Sequence, residues 1–188
     1  MLAACVAFGF SLLPCRAGEG WEWDGVRFEI LHPGPRATAG DAEASQSAAG
    51  SSGERPESNE AHGNDSSCVL RVGAGGAAVL LTGDIGRGAE ARLVRELGPA
   101  LHAEVLVAAH HGSAGSSSPA FLAAVAPRYV LYATGFADRF GFPSPRVRER
   151  VGLLGSLELD TGALGAISFR LTAGSGLLGP SWYRAHHA

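Results

Sequence analysis

The sequence predicts an α/β fold, and three observations carry the prediction. Two apolar, largely β-branched runs, Val79–Thr82 and Val105–Ala109, have the composition of buried strands. Between them, GRGAEARLVRELGP places Leu93 and Leu97 one turn apart, turns Arg92, Arg95 and Glu96 elsewhere, and meets Pro99 past its end, as an amphipathic helix does. Downstream, Ser118-Pro119 and Ser144-Pro145 each set a capping serine before a proline, and the buried-strand run RYVLYA lies between them. A β-α-β unit of this kind pairs its strands in parallel through a right-handed connection.

Composition sets the outer bounds. At 188 residues, one domain is expected. The apolar fraction is 46%, ordinary for a globular protein. All 15 basic residues are arginine, a bias that fits a GC-rich genome better than any chemistry. The net charge of -3 gives no global basic footprint for nucleic acid. Cys5, Cys15 and Cys68 form no CxxC or Cys/His zinc pattern, and an isolated pair is able to bridge in an oxidising compartment.

The elements follow in order. Residues 1–20 begin with an apolar stretch of about 13 residues, too short to span a bilayer and without the basic start of a signal peptide. The competing reading makes it a strand and loop of a domain whose beginning lies upstream. Trp21–Leu31 reads as a hairpin, with Asp24-Gly25 as its two-residue turn and Val26, Phe28 and Ile30 on one buried face. It ends at His32, another histidine at a strand end. Arg36–Gly63 holds no large apolar side chain, and its two arginines against five carboxylates carry the whole net charge. Such a segment buries too little to offset its ordering entropy, so a disordered insertion is expected. CVLRVG and AAVLLTGD make a second hairpin about a GAGG turn. No helix N-terminus follows that turn, which argues against a phosphate-binding loop and any nucleotide cofactor.

After the β-α-β unit, the helix opened by Pro119 stops at Pro127. TGFADRFGFPS follows RYVLYA as an aromatic, glycine-rich loop at a strand's carboxyl end. In the helix opened by Pro145, Val147, Val151 and Leu154 share one face. SLELDTGALGAISFRL supplies two strands around Thr161-Gly162. Residues 173–188 read as a tail without clear order, whose two histidines face solvent.

Chemistry gathers where strands end. Gly83 breaks the Val79–Thr82 run, so Asp84 stands at its carboxyl end, and Val105–Ala109 delivers His110 to an equivalent place with His111 beside it. Ligands collect beyond the carboxyl ends of parallel strands. A carboxylate and an imidazole there are the start of a divalent metal site. The plain alternative makes Asp84 a loop cap and the histidines loop polar groups.

The wording TGD after one strand and HHGS with trailing serines after the next resembles the metallo-β-lactamase superfamily. It is most similar to the C-terminal nuclease-like domain of the ComEC competence proteins, which take DNA across the inner membrane. The Cys15–Gly18 segment leading into the Trp hairpin, LLTGD, and the pair Asp160-Thr161 and Gly162-Ala163 extend the likeness over residues 15–171. The resemblance implies the C-terminal half of an αββα sandwich, mixed sheets with outer helices. Its metal ions, zinc or manganese, sit at one edge and assist phosphodiester hydrolysis.

Carried onto this chain, Asp84 bridges the metals, His110 ligates one, and His111 is a neighbouring or phosphate-contacting group. His32 is a third candidate ligand, and Ser113 and Arg139 are candidate phosphate contacts. Cys15 and Cys68 are the disulfide pair that the resemblance suggests. It further implies a bacterial inner-membrane protein with this domain on the outer, periplasmic side, a transmembrane channel segment, and DNA, single-stranded during uptake, as partner.

Two departures weigh on that reading. The family's first metal motif, His-x-(His/Asp)-x-Asp-His, is absent, since His62-Gly-Asn-Asp65 has the wrong spacing. The chain therefore resembles the half-domain after that motif and is expected to need an upstream half. The family's Gly-His-Pro-His is replaced by Gly141-Phe142-Pro143-Ser144. Little metal binding and no DNA cleavage are expected of the chain alone. The alternatives are a non-catalytic remnant or interaction module, or a hydrolase of this fold with another substrate class. A serine hydrolase stands further off, because His111-Gly112-Ser113-Ala114-Gly115 lacks the first glycine of a nucleophile elbow.

Overall fold

A computed structural model describes residues 14–34, 63–136 and 139–186. Cys5, most of the segment expected to be disordered (36–62) and His187 lie outside the described residues, as does the side chain of His186. Among the described residues the fold is mixed α/β, with one seven-stranded sheet, one two-stranded sheet and outer helices.

The seven strands follow chain order across the large sheet: β1 (Gly20–Trp23), β2 (Val26–His32), β3 (Val69–Ala74), β4 (Ala77–Leu81), β5 (Val105–Val107), β6 (Tyr129–Tyr132) and β7 (Leu157–Asp160). The first three pairings are antiparallel and the last three parallel, with β4 common to both halves. Tight turns make the antiparallel half. Asp24 and Gly25 both take positive φ (50° and 73°), and Gly75 and Gly76 do the same at 57° and 83°. Helical crossovers make the parallel half: α1 (Arg87–Leu97), α2 (Pro119–Val125) and α3 (Pro145–Leu154).

β4, β5 and β6 pack on both faces, which is why they read as continuous apolar runs. Leu80, Leu106 and Val130 pack with Leu93 of α1, Phe121 and Leu122 of α2, and Val147 and Val151 of α3. Their neighbours Val79, Val105 and Tyr129 face the other way. They pack with Ile167, Phe169 and Leu177 of the small sheet, β8 (Ile167–Thr172) and β9 (Gly176–Trp182).

Several expectations change. The stretch expected to be an unordered tail contains β9, which pairs with β8 and buries Gly176. Gly176, Gly179 and Pro180 interrupt its strand pattern, and the register shifts between Ser168 and Arg170, so no alternation survives in the sequence. The strands flanking Thr161-Gly162 lie in different sheets, joined through a short helix, α4 (Thr161–Leu164). Leu154 closes α3 but is 44% exposed, unlike Val147 and Val151. Ser118 precedes α2 without a side-chain cap, whereas Ser144 Oγ accepts from Val147 N at 3.4 Å. In β2 only His32 is fully buried, and Leu31, off the face marked by Val26, Phe28 and Ile30, reaches the helix-side core.

Candidate functional site

β2, β4, β5, β6 and β7 run in one direction, so their carboxyl ends share one edge of the sheet. At the end of β4 the buried Thr82 sends Oγ1 to Val107 O (2.7 Å), tying β4 to β5. Gly83 turns with φ 56°, and a Cβ there would lie 2.9 Å from Ser67 Cβ. Asp84 follows, its N–H donating to Ser67 Oγ at 3.2 Å. The end of β5 is stitched to the same turn, since His110 N–H donates to Gly83 O at 3.0 Å.

The HHG run has an unusual backbone. His110 (φ 49°), His111 (φ 57°) and Gly112 (φ 86°) are successive left-handed residues. Each non-glycine there costs on the order of 1 kcal/mol or more, and such strain clusters at functional sites. Gly112 is obligatory on contact grounds too, because a Cβ would sit 2.6 Å from Pro143 Cβ and 2.9 Å from the Tyr132 ring. Burial, and next the Glu158 carboxylate, push that Tyr132 phenol far above its ordinary range and keep it neutral.

Asp84, His110 and His111 line one cleft of about 420 Å³ with Ala133, Thr134, Gly135, Phe140 and Phe142. His111 Nε2 and Asp84 Oδ1 are 4.0 Å apart, and both side chains are half exposed. Phe142 packs against both imidazoles, edge-on to His110 (5.8 Å between centroids) and stacked on His111 (6.4 Å). The Thr134–Gly135 wall is fixed by the DTGA segment. Asp160 Oδ1 accepts from Thr134 Oγ1 and from Gly162 N, and Thr161 Oγ1 donates to Thr134 O at 2.7 Å.

A supporting shell that the sequence reading missed lies beneath. The trailing serines are structural. Buried Ser116 sends its hydroxyl to Ala109 O (2.7 Å) and Ser113 O (3.0 Å), bracing the histidine turn from behind. Glu90 of α1 is fully buried and accepts from the N–H groups of Ser117 and Ser118. Burial raises its carboxyl above the ordinary value, while those hydrogen bonds and the Arg87 charge oppose the shift. Arg150 of α3 donates to Ser116 O at 3.0 Å, and Arg87 to Ala114 O at 3.2 Å.

The other candidates are placed as follows. Ser113 donates to Ser116 Oγ at 3.5 Å. Arg139 sets its guanidinium over the Phe140 ring, 4.8 Å from the centroid, at the cleft rim. His32 is buried, with Nε2 2.7 Å from Asp65 O, and does not line the cleft. Its strand is two positions from β4 and three from β5, about 10 and 14 Å along the edge at the usual strand spacing. Cys15 and Cys68 form a disulfide with Cα atoms 5.9 Å apart. It anchors the segment that offers Ser67 to Asp84 and Asp65 to Gly86 N (2.8 Å).

A metal ion in this cleft would meet one carboxylate and two imidazoles on strained turns, and 4.0 Å between Asp84 and His111 is a pair contact, not a coordination shell. Among the described residues, no group of three or more His, Cys, Asp or Glu side chains is arranged to hold one. The described donors alone do not fit a complete metal site.

No protein-family model matches the chain. It is 40% identical over 158 residues to Competence protein ComA of Neisseria gonorrhoeae, covering 84% of this chain and 20% of that protein. It is 31% identical over 153 residues to Recombination protein 2 of Haemophilus influenzae, covering 81% of this chain and 16% of that protein. It is 29% identical over 160 residues to the uncharacterized protein YcaI of Escherichia coli, covering 85% and 18%. The chain thus spans a fifth or less of the length of these curated relatives.

Proposed function

The chain belongs to the ComEC-type competence proteins, as a match to their C-terminal region, and on that premise we propose that it serves DNA uptake by receiving a DNA strand in the cleft of Asp84, His110 and His111. One observation carries this reading: a carboxylate and two imidazoles from neighbouring strand ends converge there, on backbone held left-handed at the histidines. Half-exposed groups on strained turns serve packing poorly, whereas they suit contact with a ligand. The domain type we propose is the later half of a metallo-β-lactamase-like sandwich, in a protein of the inner membrane with this domain on the outer side. Among the described residues no helix is long and apolar enough to cross a membrane, so anchoring would fall to a channel segment elsewhere in the protein.

The donors described do not complete a metal site, so hydrolysis by this chain alone forms no part of the proposal. A zinc or manganese ion would need donors from outside the described residues, such as an upstream half of the domain. A binding role without catalysis is the second reading. It is favoured by Phe142 and Ser144, which offer no imidazole where the family pattern has two.

In a naturally transformable host carrying the gene, Asp84→Ala lowers transformation frequency at least tenfold at unchanged protein abundance. An unchanged frequency overturns the DNA-uptake reading. The purified chain, with manganese or zinc, leaves single- and double-stranded DNA uncut. Robust nicking abolished by Asp84→Ala would show that the described donors suffice and that the count of ligands is wrong.

A further inference from the structure

The rim of the cleft carries an apolar feature that the proposed chemistry does not use. Phe136 is 78% exposed and Phe140 65%, although both rings are large enough to be worth burying. Phe140 lines the cleft with Phe142, whose ring stacks on Phe140 (5.9 Å, 23° between planes) and on His111, and Phe136 directly follows the lining residue Gly135. Each exposed ring has an arginine on it: Arg139 over Phe140 at 4.8 Å and Arg184 over Phe136 at 5.0 Å. Arg184 is fixed in place, donating to Gly162 O and Ala163 O at 3.1 Å each. It arrives from the turn after β9, which ties the chain's last strand to the cleft.

Exposed aromatic rings, each with a guanidinium lying over it, offer an unpaired nucleobase and its phosphate a stacking surface and a cation, the guanidinium moving off the ring to the phosphate as the base takes its place. The base stacks on the ring and the phosphate meets the cation. A duplex buries its bases' faces in its own stack and offers this ledge only phosphates. The chain's net charge of -3 supplies no general attraction to nucleic acid, so affinity has to come from local contacts of this kind.

We propose that Phe136 and Phe140, with Arg184 and Arg139, form a base-stacking ledge that selects unpaired nucleotides for the cleft. This rests on the reading that the cleft takes DNA, and it adds the residues that sense the strand's state.

Fluorescence anisotropy with the full 188-residue chain tests it. The probes are a labelled thymidine oligonucleotide, an abasic oligonucleotide of the same length, and a duplex of that length. The base-bearing single strand binds most tightly. Phe140→Ala and Phe136→Ala each weaken it about tenfold, the usual effect of losing one stacked base. Binding of the abasic strand and of the duplex does not change. Phe140→Trp retains affinity and Phe140→Leu loses it, which separates stacking from greasiness. Because both rings are exposed, thermal melts of all variants coincide with the parent. With two arginines at phosphates, log affinity falls against log salt with a slope of about -1.4. Equal binding of abasic and base-bearing strands, phenylalanine variants that bind like the parent, or no single-strand binding at all overturns the ledge. Equal binding of the abasic strand or unchanged phenylalanine variants overturn the ledge while the cleft still takes DNA; a chain that binds no single strand overturns the cleft as the place where DNA is received as well.

Discussion

The large sheet is two regions sharing β4, and they are held together differently. In the parallel region β4, β5 and β6 send residues into cores on both faces, and three helices bring a continuous core to one of them. In the antiparallel region β1 is exposed throughout and β2 buries only its last residue. That region is closed by tight turns, by the Trp21–Phe28 ring stack (5.1 Å) and by the Cys15–Cys68 disulfide. Both regions place histidine at the same sheet edge, His32 as the last residue of β2 and His110 and His111 in the turn after β5. In the parallel region the histidines stand in the cleft on strained backbone; in the antiparallel one His32 turns inward and holds a carbonyl. Core packing lets the parallel region bear strain at its strand ends, while the antiparallel region spends its histidine on securing a loop.

The covalent link gives the largest test of that contrast. The bridged residues are 53 apart in sequence, and a closed loop of that length stabilises by up to about 4 kcal/mol in the chain-entropy account. Cys15→Ser with Cys68→Ser lowers the urea-unfolding free energy towards that extent. Amide exchange accelerates first in β1 and β2 and last in β5 and β6. Equal acceleration in β5 and β6 would mean that the sheet opens as one unit and that the two regions are not distinct.

How far sequence reaches follows the same division. The β-α-β unit and both hairpins were legible because their signals are local: apolar runs, a helical stripe, Asp24-Gly25, Gly75-Gly76. So was the meeting of Asp84 with His110 and His111, since parallel neighbours place their carboxyl ends together. Glu90 was not legible. On an amphipathic helix it reads as a solvent-facing charge, and its partners are backbone N–H groups 27 and 28 residues away. β9 was hidden by Gly176, Gly179 and Pro180, which tertiary packing against Leu177 overrides. Among the serines after HHG, Ser113 reads as a candidate phosphate contact, and only the fold reveals that Ser116 faces inward.

Glu90 gives the second test, within the parallel region. Glu90→Ala strips one buried and one part-buried N–H group of their acceptor and costs about 2–4 kcal/mol. The pH dependence is the sharper measure. Burial raises the folded-state carboxyl above its unfolded value of 4.5, so the native protein holds the proton more tightly than the unfolded chain. Stability from this group is therefore full below the unfolded value and is lost as pH rises through the folded one. Glu90→Gln, a neutral stand-in, removes that loss. The stability of the parent minus that of Glu90→Gln falls as pH climbs from 4.5 towards neutrality. A difference that stays flat would show that burial does not perturb this carboxyl.

The smallest effect separates the two histidine strand ends themselves. His32 is buried, and its ring bonds the Asp65 carbonyl. His32→Ala opens a cavity and leaves that carbonyl unpaired, which costs about 2 kcal/mol. His111 is half exposed and sits at φ 57°. His111→Gly relieves a left-handed conformation worth on the order of 1 kcal/mol, offset by the greater backbone freedom of glycine in the unfolded chain and by the lost contact with Phe142. The sum is a change of about 0–1 kcal/mol, in the stabilising direction, measured by urea melts of the paired variants. The same glycine removes an imidazole from the cleft, so transformation falls although the protein is no less stable. Loss of stability at His111 as large as at His32 would show that this imidazole is packed for structure, and the two strand ends would then differ in place alone. A stable His111→Gly protein that has lost function would identify the left-handed turn as strain retained for the cleft's chemistry.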